Sequence, residues 1–275
     1  FQTGCAMVTT TGYPKTAHRI TYIHNLFQNG AATLSGLVEM YHERVRRGEI
    51  PAAPEGEETT FIMVTGDGGM DIGMGAALGT ANRNHKMIVL EYDNQGYMNT
   101  GSQLSYATPY GHRTSTSEVG NKLSGKRFHH KDTPQIFAAC NVPYVFTASE
   151  GYPEDFMRKI SKAQWYARRE GFVYGKVLSF CPLNWRTKDD AAQEVLQTAI
   201  DCCFFPLYEV ERGSTHITYD PDAIGRRRSV GAWLGQMGKT KHMLEPENAE
   251  RLEMLEHEFD KRWRKLKIKS EHPEL

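Results

Sequence analysis

Two stretches of the chain end apolar runs with side chains suited to holding a divalent cation. The first, TGDGGMDIGMG at residues 65–75, places an aspartate between glycines, and the second, EYDNQGYMNTG at residues 91–101, supplies carboxylates and amides. Asp67 and Asn94 are 94 − 67 = 27 positions apart. If the two apolar runs are adjacent parallel strands, both side chains reach one point, because ligands of open parallel sheets collect outside the carboxyl ends of the strands.

Oxygen donors at such a point suit magnesium, which takes carboxylate, amide and carbonyl oxygens and usually carries phosphate oxygens as its remaining ligands. Gly66, Gly68 and Gly69 would let the backbone approach a diphosphate, and the N-terminus of the next helix would add amide donors and a favourable dipole. A glycine turn that only closes a strand, with Asn94 capping a loop, is the alternative for either stretch alone. The two stretches together favour a site for a cation and a diphosphate.

The surrounding pattern alternates between strand-like and helix-like segments. A β-branched run ends at the first glycine stretch, a glycine- and alanine-rich segment of helical length follows, and a second apolar run leads to Asn94. Parallel neighbours need a connection of that length. We therefore predict a doubly wound, mainly parallel α/β sheet. Its other predicted elements are a helix within residues 25–47, a strand near Tyr144, a helix over 153–169, a strand from Phe172 and a helix over about 189–203.

The sequence changes character after residue 204. We predict an α/β domain over residues 1–204 that carries the site, and a C-terminal extension over residues 205–275. The extension begins with an alternating segment that reads as a hairpin around Gly213, and residues 248–268 are amphipathic with helical spacing. We expect it to pack against its own domain or against a partner subunit.

Composition narrows the class of protein. The chain has 275 residues, with 33 Lys and Arg against 33 Asp and Glu, so no overall field recruits nucleic acid or an anionic membrane. No apolar stretch approaches the roughly eighteen residues of a membrane span, and no export signal opens the chain. We expect a cytoplasmic protein that binds no nucleic acid. Because the sequence starts at Phe1 rather than Met, we expect further residues upstream.

The GDG stretch with its later asparagine resembles the motif by which thiamine diphosphate enzymes hold the magnesium and diphosphate of the cofactor. By this resemblance, the side chains of Asp67 and Asn94 are magnesium ligands, and the carbonyl of Gly96 is a third. The glycines of the GDG stretch contact the diphosphate.

Further motifs resemble the β subunit of pyruvate:ferredoxin oxidoreductase and related 2-oxoacid oxidoreductases. In chain order they are VTTTGYPKTA, IHNLFQNGAA, YDNQGYMNTGSQLSYATPYG, VPYVFTAS, YPEDFMRKI, SFCPLNW and PLYEVERG. The resemblance covers nearly the whole chain and implies a thiamine diphosphate-binding fold. It also implies coenzyme A-dependent oxidative decarboxylation of a 2-oxoacid to an acyl-coenzyme A and CO₂, with electrons leaving through iron-sulfur clusters. Pyruvate is the default substrate; branched-chain acids and aromatic acids such as phenylglyoxylate are alternatives.

The resemblance also assigns roles around the cofactor. Asn99 matches the asparagine that faces the thiazolium and the bound 2-oxoacid, so it is the candidate catalytic residue; a turn-capping asparagine is the alternative. Tyr97, Met98 and Thr100 are candidate cofactor contacts in the same loop. His24 aligns with a segment near the cofactor, and a partly buried histidine with internal partners is its alternative.

Two of the five cysteines match iron-sulfur ligands of the resembling family. Cys5 in QTGC and Cys181 in SFCP correspond to two of the four thiolates of a [4Fe-4S] cluster. The remaining CxxC pair is expected roughly twenty-five residues before Cys5, upstream of Phe1. If no such pair exists, both cysteines are ordinary buried residues. Cys140, Cys202 and Cys203 are expected to pack in the core.

The resemblance implies a hetero-oligomer. The glutamate that protonates the cofactor's aminopyrimidine has no match in this chain, so an α-type subunit is expected to complete the site, beside γ-type and ferredoxin-like iron-sulfur subunits. The basic segment GKRFHHKD at residues 125–132 reads as a solvated loop, with a contact to coenzyme A or diphosphate as the alternative. A non-oxidative thiamine diphosphate decarboxylase or synthase and a non-catalytic scaffold subunit are the competing functions.

Overall fold

The computed structural model describes residues 1–10, 16 and 18–273. The strands of this part of the chain are β1 (Ile62–Gly66), β2 (Ile88–Asp93), β3 (Val119–Gly120), β4 (Leu123–Ser124), β5 (Tyr144–Ser149), β6 (Val173–Leu178), β7 (Leu207–Glu211) and β8 (Ser214–Tyr219). Six of them form the central sheet in the order β1-β2-β6-β5-β7-β8, and β3 pairs with β4 in a separate ribbon.

The helices flank this sheet. They are α1 (Cys5–Thr10), α2 (Gly30–Arg46), α3 (Asp67–Asn82), α4 (Thr133–Ala138), α5 (Pro153–Arg169), α6 (Pro182–Trp185), α7 (Ala192–Asp201), α8 (Val230–Leu234) and α9 (Ala249–Glu271). Single 3₁₀ turns lie at Asp189–Ala191, Lys241–Leu244 and Pro246–Asn248. Among the described helices, none is both long and apolar enough to cross a bilayer.

The predicted α/β class with a mainly parallel sheet is confirmed. The pairs β1–β2, β2–β6 and β5–β6 are parallel, and α3 makes the predicted crossover between β1 and β2. β5 and β6 are buried along their whole length, as expected of strands covered on both faces. Gly66 pairs with Tyr92, so the chain leaves β1 and β2 at nearly the same level. This register places Asp67 and Asn94 side by side.

The predicted hairpin around Gly213 is formed, and it belongs to the central sheet. β7 runs antiparallel to β5 and to β8, and Gly213 turns between them with a φ of +89°. The long helix α9 also returns to the body of the chain, where Trp263 packs in the same apolar cluster as Met63 of β1. α9 therefore packs on the sheet that carries β1. The boundary at residue 205 itself stays a prediction.

The close approach of two central strands depends on one glycine. Gly175 of β6 lies opposite the fully buried ring of Phe146 in β5, and a Cβ atom at Gly175 would lie 2.2 Å from that ring. By contrast, Gly36 is exposed on α2, and a Cβ atom there would meet no other atom within 4 Å.

We expect Gly175→Ala to lower the free energy of unfolding by about 1–3 kcal/mol, because the added methyl group overpacks the core. Gly36→Ala is the matched control and should raise that free energy by up to about 1 kcal/mol through helix propensity. Chemical denaturation followed by circular dichroism measures both. Equal stability of the two variants would contradict the close packing of β5 on β6.

Candidate active site

A carboxylate, a side-chain amide and a backbone carbonyl converge where β1 and β2 end. Asp67 begins α3 directly after β1, and Asn94 and Gly96 lie in the loop that follows β2. The side-chain oxygen of Asn94 lies 3.2 Å from Asp67 Oδ1 and 3.1 Å from the Gly96 carbonyl oxygen. Asp67 and Asn94 are only 1% and 6% exposed. Without a cation, turning the Asn94 amide over would convert both approaches into hydrogen bonds that its NH₂ group donates.

The observed spacing fits magnesium. Ligands at about 2.1 Å from an octahedral ion lie about 3.0 Å from their neighbours, close to the separations found here. The donors are one carboxylate, one amide and one backbone carbonyl. In residues 1–10, 16 and 18–273, no three His, Cys, Asp or Glu side chains are grouped so that they could hold a metal ion by themselves. The remaining positions around the ion would thus be left to water and to phosphate oxygens.

The loop after β2 is held in an unusual conformation. Gln95 is not glycine, yet it has a φ of +70°, and such backbone strain is typical of functional sites. Its N–H donates to Asp93 Oδ1 at 2.9 Å, and its side-chain oxygen accepts from Lys239 at 2.6 Å. Trp185 Nε1 donates to the Asn94 carbonyl at 3.0 Å. These contacts fix the loop so that Asn94 and Gly96 face Asp67.

Asp67 has its own set of partners. Ser105 Oγ donates to Asp67 Oδ2 at 2.5 Å, and Lys131 donates to the Asp67 carbonyl at 2.8 Å. Burial, followed by the negative charges of Asp93 and Glu91, raises the pKa of Asp67 well above its usual range, although Ser105 and Lys131 oppose this shift. A cation at the site would favour the ionised carboxylate.

Two lysines neutralise the carboxylates behind the site. Lys131 pairs with Asp71 and lies 3.6 Å from Glu91, while Lys176 lies 3.3 Å from Glu91 and 2.9 Å from Asp93. Burial alone would raise the pKa of Glu91, but Lys131 and Lys176 hold it below its usual value. Burial opposes the charge of Lys176, but Asp93 and Glu91 raise its pKa above its usual value. The pairs tie β2, β6 and the start of α3 together.

The GDG glycines make room for an aromatic wall. The Tyr97 hydroxyl donates to the Gly68 carbonyl at 3.0 Å, and a Cβ atom on Gly68 would lie 2.4 Å from the Tyr97 ring. Phe27 meets the Tyr97 ring edge-on, with the centroids 6.3 Å apart. Burial, with the charges of Asp71 and Asp67, raises the pKa of Tyr97 to about 12, so the phenol stays protonated. A side chain larger than glycine at residue 68 would displace this wall.

The structure brings nearly all of the predicted site residues to one cleft. Those that line it are Cys5, Gly66, Asp67, Gly68, Gly69, Asn94, Gly96, Tyr97, Met98, Asn99 and Thr100. Asn99 and Thr100 are exposed at its edge, and Thr100 donates to the Gln103 side chain at 2.5 Å, which shapes the loop. His24 is exposed and does not line the cleft, but its Nε2 lies 3.1 Å from Oγ1 of Thr3, which does.

The two cysteines assigned to an iron-sulfur cluster lie on this side of the molecule. The Gln2 N–H donates to the Val64 carbonyl at 2.9 Å, which lays the N-terminal segment beside β1 and places Cys5 at the cleft. Asn94 Nδ2 donates to Cys5 Sγ at 3.7 Å. Burial raises the pKa of the Cys181 thiol, and the charge of Cys5 raises it further. Cys181 directly precedes α6 and follows β6, whose carboxyl end lies beside that of β2.

Several residues of the site lie in the quoted sequence segments but were assigned no role there. Thr3, Gly4, Phe27 and Tyr92 line the cleft, and Ser105 and Lys131 hold Asp67. The interpretation of residues 125–132 as a solvated loop is wrong for two of its lysines. Lys126 is 2% exposed and donates to the carbonyls of Ser105 and Tyr106 at 3.2 and 3.1 Å, and the Lys131 side chain is 9% exposed. Burial lowers the pKa of Lys126 to about 7. Both lysines are buried because backbone and carboxylate oxygens surround them.

Comparison with known proteins agrees with this site. Residues 3–175 match the family model of the thiamine pyrophosphate enzyme C-terminal TPP-binding domain. The pyruvate synthase subunit PorB of Thermotoga maritima is 40% identical over 96% of this chain and 79% of the relative. PorB of Methanocaldococcus jannaschii is 39% identical over 91% of this chain and 81% of the relative. The ketoisovalerate oxidoreductase subunit VorB of Pyrococcus abyssi is 31% identical over 96% of this chain and 81% of the relative.

The fold and the site thus define a thiamine pyrophosphate-binding subunit. The chain belongs to the thiamine pyrophosphate enzymes and, among them, to the family that includes the PorB and VorB subunits of 2-oxoacid oxidoreductases.

We expect Lys131→Met to lower the free energy of unfolding by about 3 kcal/mol, because it leaves Asp71 and Glu91 buried with less opposite charge. The exposed Lys122→Met is the matched control and should change stability by less than about 0.5 kcal/mol. Urea denaturation of the two variants measures the difference. If both unfold at the same urea concentration as the wild type, the lysine does not support the site as described.

Proposed function

We propose that this chain is the thiamine diphosphate-binding β subunit of a 2-oxoacid:ferredoxin oxidoreductase that converts pyruvate and coenzyme A into acetyl-coenzyme A and CO₂. The observation that carries the proposal is the convergence of the Asp67, Asn94 and Gly96 oxygens at the ends of β1 and β2. Such a donor set, next to glycines and a helix N-terminus, suits a magnesium ion that carries a diphosphate.

Each part of the cleft has a role in this proposal. Asp67, Asn94 and the Gly96 carbonyl hold magnesium, while Gly66, Gly68 and Gly69 let the diphosphate approach the backbone at the start of α3. Tyr97, Met98 and Thr100 form the wall beside the cofactor. His24 stays a proposed contact that would reach the cofactor through the Thr3 side of the cleft. When bound, thiamine diphosphate supplies the electron sink for decarboxylation.

Asn99 is proposed to orient the 2-oxoacid. Its side chain is exposed at the edge of the cleft, where an amide can donate to the substrate carbonyl or carboxylate. The loop that carries it is braced by Thr100 and Gln103, which hydrogen bond to each other in both directions. Since one side of Asn99 faces away from this chain, the rest of the substrate pocket is assigned to an α-type partner subunit.

Electrons are proposed to leave through a [4Fe-4S] cluster with Cys5 and Cys181 among its ligands. Cys5 contacts Asn94, so such a cluster would lie next to the magnesium ligands, within range for electron transfer from the substrate. The other two thiolates are proposed to come from a CxxC pair outside the sequence given. γ-type and ferredoxin-like subunits would carry the electrons onward, and coenzyme A would take the acyl group.

The choice of pyruvate rests on the relatives. Those named pyruvate synthase subunits are 40% and 39% identical to this chain, and the relative named for ketoisovalerate is 31% identical. Branched-chain acids, and aromatic acids such as phenylglyoxylate, are the alternatives, because the open side of the cleft leaves much of the side-chain pocket to the partner.

Asp67→Ala should abolish retention of thiamine diphosphate and pyruvate-dependent, coenzyme A-dependent reduction of ferredoxin by the assembled complex. The reason is that it removes the only carboxylate of the three proposed ligands. Cofactor content after desalting and steady-state rates measure the effect. Asp190→Ala, at an exposed residue of a 3₁₀ turn, is the control and should behave like the wild type.

Full cofactor occupancy in the folded Asp67→Ala complex would refute the assigned ligand.

In the same assay, the wild-type complex should show a higher kcat/KM for pyruvate than for ketoisovalerate or phenylglyoxylate. The reverse order would mean that pyruvate is not the preferred substrate, but it would not affect the assignment of the cofactor site.

Cys181→Ser should reduce the iron and acid-labile sulfide of the anaerobically purified complex by the content of one [4Fe-4S] cluster, because a cluster ligand is lost. Cys140→Ser is the matched control, since Cys140 is a free thiol at the end of α4, outside the cleft. Equal iron in both variants would remove Cys181 from the ligand set. A wild-type complex with no iron at all would favour a non-oxidative decarboxylase or synthase.

A further inference from the structure

A second cavity, of about 440 Å³, lies between the central sheet and α9. Its floor includes Thr147 of β5, Lys176 of β6 and Tyr208 of β7, and α4 and α9 form its walls. Lys131 and Lys176, which pair with the carboxylates behind the cleft, also border this cavity. A concave space of this size in a folded chain is typical of a small-molecule site.

One face of α9 turns cations toward this cavity. Lys261, Arg262, Lys265 and Lys269 line it, and their spacing of three and four residues places them on one side of the helix. Six lysine and arginine side chains and three carboxylates line the cavity, so its formal charge is 6 − 3 = +3 in a chain whose net charge is zero. A helix packed on a sheet normally presents apolar residues there.

Part of this positive charge has no negative partner. Lys176 pairs with Asp93 at 2.9 Å, and Arg262 pairs with Glu258 at 2.8 Å. Lys269 donates to the neutral side-chain oxygen of Gln135 at 2.7 Å. Lys265 has no hydrogen bond or ion pair with the described residues. Both of these lysines are exposed at the mouth of the cavity, where they can reach an anion.

His130 adds an N–H donor without an acceptor. Arg262 Nη1 lies 2.8 Å from His130 Nε2, and since a guanidinium only donates, this nitrogen must accept and Nδ1 must carry the proton. His130 Nδ1 is buried and has no partner among the described residues. Burial and the charge of Arg262 lower the pKa of His130 well below its usual value, so the ring is neutral. The ring therefore borders the cavity without adding charge to it.

The rest of the lining is aromatic and apolar. Phe204, Phe205 and Pro206, which precede β7, line the cavity together with Leu266 of α9. Inorganic phosphate would leave this surface without a contact, whereas a purely apolar ligand would leave the lysines without an anion. A ligand with a flat ring and a phosphate chain satisfies both.

We propose that this cavity binds a nucleoside diphosphate, with its phosphates on Lys261, Lys265 and Lys269 and its base against the Phe205 and Pro206 side. The cavity is a recess of about 440 Å³ and not a flat surface, which favours such a ligand over an acidic surface of a partner protein. The proposal does not depend on the oxidoreductase assignment, because it concerns a different cavity and its readout is binding.

The test uses the assembled complex saturated with thiamine diphosphate and Mg²⁺, so that the cleft at Asp67 is filled. Equilibrium dialysis with labelled ADP should show saturable binding that weakens with added salt, since much of the attraction is between exposed charges. Adenosine should bind far more weakly than ADP. Tripolyphosphate should bind more weakly than ADP as well, because it cannot use the aromatic wall.

The double variant Lys261→Gln, Lys265→Gln should weaken ADP binding by about tenfold or more, through loss of two charge-assisted contacts. Arg264→Gln is the matched control, because Arg264 is exposed on the same helix but does not line the cavity. Thermal melting checks that both variants are folded.

Three outcomes would overturn the proposal. The first is that the wild-type complex binds no ADP at millimolar concentration. The second is that the double variant binds ADP with unchanged affinity. The third is that tripolyphosphate and ADP bind with equal affinity. The second would mean that the nucleotide binds elsewhere in the complex, and the third that the cavity recognises charge alone.

Discussion

The whole arrangement depends on oxygen atoms that are buried close together at the ends of two adjacent strands. Asp67, Asp71, Glu91 and Asp93 lie there with Lys131 and Lys176, and the buried Lys126 and Lys239 interact with the same group of carboxylates. Buried charge of one sign is costly unless it is paired. The lysines therefore stabilise the carboxylates that surround the start of α3.

The parallel sheet fixes the positions of these charged groups. Because β1 and β2 pair in parallel, their following residues leave the sheet at one level, and the lysine pairs hold β2 and β6 to the start of α3. The strained Gln95 backbone is fixed by Lys239 and Asp93 and shapes the same loop. The cleft is thus preorganised by this chain, and Asn99 is exposed at its edge.

The C-terminal segment contributes more than an added cover. Its hairpin extends the central sheet through β7, and α9 covers the sheet face with both apolar and cationic side chains. Lys131 and Lys176 border the cleft network and the second cavity alike. These two lysines therefore lie between the two regions.

The sequence by itself determined the α/β class, the pairing of β1 with β2 and most of the residues that line the cleft. These conclusions rest on features that can be recognised in the sequence without knowing the fold. The features are strand and helix periodicity, the positions of the glycines and the 27-residue separation of Asp67 and Asn94. Only the tertiary structure decided which other side chains support them. Ser105 and Lys131 reach Asp67 from 38 and 64 positions away, and Cys5 reaches Asn94 from 89 positions away. Such contacts depend on the path of long loops, which a local sequence pattern does not specify. A lysine in a basic segment has the same sequence neighbours whether it is solvated or buried beside carboxylates.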